Sequence, residues 1–181
     1  MPSTCISRRA LCCRLAAIPI GLGAAARARP AGSGGLSRTA ESIHQEVVFD
    51  GGRRRVFEAL TDSSQFDAVT RLSDAVKLVS APGAKPTSIS REAGGEFTLF
   101  GGYIIGRNLE VSPDERLVQA WRETSWNPGE YSVASFALHD HGPGTKLIFD
   151  HRGFPEGHGP SLADGWHVHY WRPLAKYLLR A

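Results

Sequence analysis

Six short β-prone runs separated by glycine- and proline-bearing turns, followed by a single aromatic helix, leave this chain few folds. The runs are Ser88 to Glu92, Glu96 to Phe100, Tyr103 to Val111, Leu117 to Thr124, Tyr131 to Leu138 and Thr145 to Arg152. Gly94-Gly95, Gly101-Gly102, Pro113-Asp114, Asn127-Pro128-Gly129 and Gly142-Pro143-Gly144 punctuate them as hairpin turns. Ahead of them, Ile43 to Asp50 reads as a strand, Arg53 to Leu60 as a short helix, and Asp62 as the cap of a second short helix. Ala75 to Thr87, with Pro82, Gly83 and Pro86, reads as irregular. Strand, two helices, many antiparallel strands and a last helix is an α+β order.

Alternation along the strands places Tyr103, Ile105, Leu109 and Val111 on one face with Arg107 among them. Leu117 and Trp121 share a face with Gln119, and Leu147 and Phe149 share one with His151. A mostly apolar face with polar residues set into it suits a sheet wrapped over a helix with a partly polar cavity between them. Gly165 to Leu178 forms that helix. At about 100° per residue, Leu162, Trp166, Tyr170, Leu174, Tyr177 and Leu178 fall on one half, with His167 among them. Asp164, Val168, His169, Arg172, Ala175 and Lys176 fall on the other. Pro173 removes a backbone donor and is expected to kink the helix.

Met1 to Ala40 contains no Asp or Glu but has arginines at 8, 9, 14, 27, 29 and 38. Ser7-Arg8-Arg9-Ala10-Leu11 precedes an apolar run ending at Ala26-Arg27-Ala28, a small-x-small cleavage pattern. Residues 1–28 therefore read as a twin-arginine-like export signal and 29–42 as a flexible linker to a domain at 43–181, which places the protein in a bacterial periplasm. A mitochondrial transit peptide or a cytoplasmic tail is the alternative. The apolar run is shorter than the ~20 residues of a stable membrane span. Cleavage after Ala28 leaves 17 basic against 18 acidic side chains, so the basic whole-chain balance is no sign of nucleic-acid binding. It also removes Cys5, Cys12 and Cys13, the only cysteines, and with them any disulfide, thiol nucleophile or thiolate ligand.

Seven histidines raise the question of a metal. His167 and His169 are two apart on a helix and point about 200° away from each other, whereas a helical metal pair needs i,i+4 spacing. His139 and His141 lie at a hairpin tip. No metal site is expected. No phosphate loop, dinucleotide fingerprint or nucleophile elbow occurs, and no cofactor is expected. Proton transfer in the manner of a cyclase or hydratase has His167 as its first candidate and His151 as its second, working with a carboxylate from Glu92, Glu96, Glu110, Glu123 or Asp150. The ligand-binding candidates are Tyr103, Arg107, Trp121, Trp166, His167 and Tyr170, which would surround a small hydrophobic molecule.

Several blocks carry a family resemblance. They include Gly94-Gly95-Glu96-Phe97, Gly101 to Glu110, Leu117 to Arg122, Gly144-Thr145-Lys146-Leu147, Pro155-Glu156-Gly157 and Gly165 to Leu174. Together they resemble the domain named after the C-terminal half of the heat-shock protein 90 ATPase activator, within the START-like superfamily of polyketide cyclases, lipid carriers and the birch pollen allergen. The resemblance covers about Ile43 to Leu179 and implies a helix-grip fold: a curved antiparallel sheet, two short helices after the first strand, and a long C-terminal helix over a cavity. It also implies chaperone stimulation. The eponymous activators are cytosolic and carry an additional N-terminal chaperone-binding domain. The residues before Ile43 cannot form that domain, and an exported protein would not meet a cytosolic chaperone.

Overall fold

The computed structural model describes residues 41–180. The export signal and nearly all of the linker lie outside the described residues. The chain runs β1 (Ser42–Phe49), α1 (Arg53–Thr61), α2 (Ser63–Thr70), α3 (Val76–Val79), β2 (Ser88–Ile89), β3 (Glu96–Leu99), β4 (Ile104–Ser112), β5 (Arg116–Glu123), β6 (Ser132–His141) and β7 (Gly144–Arg152). The last helix begins as α4 (Gly159–Trp166), passes through one π-helical turn (His167–Trp171) and ends as α5 (Arg172–Leu178).

All seven strands form one antiparallel sheet in the order β1-β7-β6-β5-β4-β3-β2. Strands β2 to β7 pair in sequence, as turn-linked strands do. The two helices after β1 carry the chain across to β2 at the far edge of the sheet. Register aligns Gln45, Phe149, Phe136 and Leu117 across four strands, so their side chains share one face. That face buries Leu117, Trp121, Phe136, Leu138, Leu147 and Phe149 against Leu162, Trp166, Tyr170, Trp171, Leu174 and Leu178 of the last helix. The Trp166 ring centroid lies 4.3 Å from Phe149 and 4.1 Å from Tyr170. Val56, Phe57 and Leu60 of α1 and Phe66 and Val69 of α2 close the same core. Asp62 caps α2 by accepting from the backbone N–H groups of Ser64 and Gln65, at 3.1 and 3.0 Å. This is the α+β helix-grip architecture.

Two expectations are corrected. Ala75 to Thr87 is not wholly irregular, since it includes the single turn α3. In β4 the alternation is inverted: Ile104 and Asn108 are buried, while Arg107 is exposed and Leu109 is 51% exposed. The cause is a β-bulge. Asn108 pairs with Gln119 and Glu110 with Val118, which leaves Leu109 as an extra residue. Val111 does face the core, opposite Leu117. Counting back from it in steps of two crosses the bulge and lands on the outer face.

Pro173 acts one turn earlier than a simple kink would. Its ring opposes the carbonyl four residues back, and the helix responds with a π turn in which the Arg172 N–H donates to the His167 carbonyl. The extra residue shifts the buried stripe. It runs Leu162, Trp166, Tyr170 before the turn and Trp171, Leu174, Leu178 after it. Among the described residues no helix is long and apolar enough to cross a membrane.

Candidate functional site

A cavity of about 100 Å³ opens between the ends of β4 and β5, helix α3 and the last helix. The sheet supplies Trp121 and Glu123 from β5 and Ile104 from β4. Trp121 points inward because it continues the alternation of Leu117 and Gln119, and Glu123 is the next inward position. The last helix supplies Leu162, Gly165, Trp166, His169 and Tyr170. Leu78 of α3 and Tyr103, 43% and 40% exposed, stand at the mouth.

Phe100 enters from the loop before β4 in a left-handed conformation, φ 50°, followed by Gly101 at φ 70° and Gly102 at φ 96°. A bulky residue there costs about 1–2 kcal/mol. The next position must be glycine, since a Cβ at Gly101 would collide with the Leu78 carbonyl. The strained loop packs Phe100 against Phe66 and Tyr170, with ring centroids 5.5 and 5.2 Å away.

The polar atoms divide into satisfied and unsatisfied sets. Tyr103 Oη donates to Glu123 Oε2 at 2.8 Å, and Ser125 Oγ donates to the same oxygen at 3.1 Å. Partial burial and then the Glu123 bond raise the Tyr103 phenol, with Ser125 pulling the other way. By contrast, Trp121 Nε1, Tyr170 Oη and His169 Nδ1 are buried and, among the described residues, make no well-formed hydrogen bond; the Trp121 indole and the Tyr170 hydroxyl are each other's nearest polar neighbour. Burial pushes the Tyr170 phenol well up; a weak side-chain hydrogen bond from the Trp121 indole opposes this and the Glu123 charge adds to it. Three buried polar atoms so poorly bonded, on three residues lining one cavity, are unusual in a native interior.

Trp121, Trp166, Tyr170 and Tyr103 thus meet around the cavity, Tyr103 at its rim. Arg107 does not. It lies on the outer face and donates to Glu96 Oε1 at 2.6 Å and to the Gly94 carbonyl at 2.7 Å, fastening the β3–β4 hairpin. His167 is exposed and His169 lines the cavity, the reverse of the expectation. A uniform wheel averages the two stripes of the interrupted helix. Leu174 and Leu178, beyond the π turn, drew the apolar centre toward His167; the stripe that includes Trp166 leaves His167 outside and brings His169 to its edge.

His151 does not meet the cavity either. Trp166 Nε1 donates to its Nδ1 at 3.0 Å. The indole can only donate, so Nδ1 is unprotonated and Nε2 carries the hydrogen. Nε2 lies 2.6 Å from Ser132 Oγ, which donates in turn to the Trp121 carbonyl at 2.9 Å. Both ring nitrogens are committed, and burial pushes the imidazole down to about 3. Neither histidine named for proton transfer faces the cavity. Among the described residues no group of three or more His, Cys, Asp or Glu is placed to hold a metal ion.

Sequence reasoning passed over Phe100 and Gly165 and set His169 on the outer half of the helix. The alternation through Trp121 already pointed to Glu123, and the Phe100-Gly101-Gly102 run already marked a left-handed loop.

With this geometry in place, comparison with known proteins is informative. Residues 51–179 match the family model described as Activator of Hsp90 ATPase homolog 1-like protein. The chain belongs to this family. Its place in the START-like superfamily agrees with the helix-grip architecture. The human Activator of 90 kDa heat shock protein ATPase homolog 1 is 26% identical over 98 residues, which are 54% of this chain and 29% of that protein. The chain therefore spans less than a third of that relative's length. Among solved structures, an HSP90 activator from Plasmodium falciparum superposes with a TM-score of 0.58 at 22% identity, covering 70% of this chain and 87% of that one. A protein from Mesorhizobium loti superposes at 0.62 with 19% identity, covering 78% and 98%. These two likenesses concern the fold alone.

Proposed function

We propose that this protein binds a small, largely apolar molecule in the cavity between its sheet and its C-terminal helix. The observation that carries this reading is the set of poorly bonded buried polar atoms, Trp121 Nε1, Tyr170 Oη and His169 Nδ1, on residues that line a space walled by aromatic rings. An apolar wall with a few polar atoms is what orients a small ligand. Size narrows the class. Drug-sized ligands occupy roughly 300–1,000 Å³, and a closed cavity of about 150 Å³ holds benzene. At about 100 Å³ this space encloses a compact branched group, or a single ring that reaches into its open mouth beside Leu78 and Tyr103.

Thermal-shift and NMR titration with phenol and benzyl alcohol test the reading, with the Gly165→Leu variant as a filled-cavity control. Binding at 100 times Kd stabilises the fold by about 2.7 kcal/mol. A wild-type melting temperature that neither compound moves, or an equal shift in wild type and variant, overturns it.

A second reading, stimulation of a chaperone ATPase, is favoured by the match to the human activator. An unchanged ATPase rate on adding this protein to an Hsp90-type chaperone would end it. The export reading of residues 1–28 belongs with the first function and is tested by a reporter fused behind residues 1–40. Retention of that reporter in the cytoplasm would remove it.

A further inference from the structure

Within that ligand-binding reading, on which this inference rests, we propose that the preferred occupant is a small organic cation, an alkylated ammonium group with Glu123 as its counter-ion. Among the described residues Glu123 is the only Asp, Glu, Lys or Arg lining the cavity, which it shares with His169. It ends β5 on the inner face, opposite Ile104. Its Oε2 accepts from Tyr103 and Ser125, and among the described residues no donor reaches its Oε1. The adjacent Arg122 does not neutralise it. That guanidinium donates to the Trp126 carbonyl at 2.6 Å and to the main-chain carbonyl of Glu123 at 3.2 Å, and it lies 5.5 Å from the centre of the Tyr131 ring.

A half-buried carboxylate without a counter-charge makes the mouth of the cavity electronegative. An anionic ligand is repelled there. A neutral apolar one desolvates Glu123 further, and a hydroxyl returns at most one hydrogen bond. A cation offsets that cost and gains a second attraction wherever it meets a ring face, since Phe100, Trp121, Trp166 and Tyr170 all line the cavity. Aromatic rings within about 6 Å attract a cation, and they recognise quaternary ammonium groups most effectively. The volume suits a head of trimethylammonium size.

Choline is the probe, set against its uncharged carbon isostere, in which tert-butyl replaces trimethylammonium, and against tert-butylacetate as the anion of similar shape. Calorimetric titration near neutral pH and low salt is expected to rank choline about tenfold tighter than the isosteric alcohol, with the anion weakest. Glu123→Gln keeps an oxygen for Tyr103 and Ser125, and it should bring choline down to the affinity of the alcohol. An alcohol that binds wild type as tightly as choline overturns the cation preference and leaves the cavity-binding reading standing. Failure of choline and the alcohol where phenol still binds likewise overturns the cation preference alone; failure of choline, the alcohol and phenol together overturns both.

Discussion

The Trp166 indole donates to the buried Nδ1 of His151 across 3.0 Å, joining the last helix to β7 through a neutral imidazole. The direction of that bond fixes a pH dependence. His151 titrates near 6.5 when exposed in the unfolded chain and near 3 in the fold, lowered by burial. Between those values the unfolded state holds the extra proton, so His151's contribution is complete above pH 6.5 and is lost as pH falls toward 3. The slope approaches about 1.4 kcal/mol per pH unit. Urea midpoints measured down this range should fall more steeply for wild type than for His151→Gln, whose amide offers Trp166 an acceptor without taking a proton. Equal slopes would show that His151 is not the acid-labile joint.

Gly165 sits inside α4, where glycine costs roughly 0.5–1 kcal/mol relative to alanine. A Cβ built there meets no atom within 4 Å. Gly165→Ala is therefore expected to raise stability by about that amount, read as a higher midpoint in denaturant. Gly165→Leu should abolish phenol and choline binding while the protein stays folded. A leucine variant that binds either probe with wild-type affinity would place the ligand elsewhere.

Tyr170→Phe separates the empty state from the occupied one. The Tyr170 hydroxyl makes no well-formed hydrogen bond, so its removal should cost the ligand-free protein less than about 0.5 kcal/mol. A ligand bearing an oxygen should bind the variant several-fold more weakly, while a pure hydrocarbon of the same size should not distinguish the two proteins. Destabilisation by 2 kcal/mol or more would mean that the hydroxyl is satisfied within the protein.

Much of the fold was legible because its signals are local. The hairpin glycines, the strand lengths and the Asp62 cap each determine the structure of a few neighbouring residues. Trp121, Trp166 and Tyr170 were also legible, because period-2 and 3.6-residue counting hold where nothing interrupts them. The errors sit at two interruptions. Leu109 adds a residue to β4, and the π turn before Pro173 adds one to the last helix. A single inserted residue leaves composition and mean periodicity almost unchanged, yet it sends Arg107 and His167 to the opposite side. The Trp166–His151–Ser132 chain was hidden for another reason: it joins three elements whose proximity only the assembled sheet establishes.

The two histidines of the last helix provide the sharpest test of that phase shift. His167 is exposed, so His167→Ala should change stability by less than about 0.5 kcal/mol and leave probe affinity unaltered. His169 lines the cavity, and its ring meets Phe100 edge-on with centroids 6.3 Å apart. His169→Ala removes part of the wall. Losing one aromatic contact of about 1 kcal/mol lowers affinity for the bound probe about fivefold. Parallel titrations of the two variants decide between the faces. If alanine at 167 weakens binding and alanine at 169 does not, the helix presents its other side and the site must be rebuilt around His167.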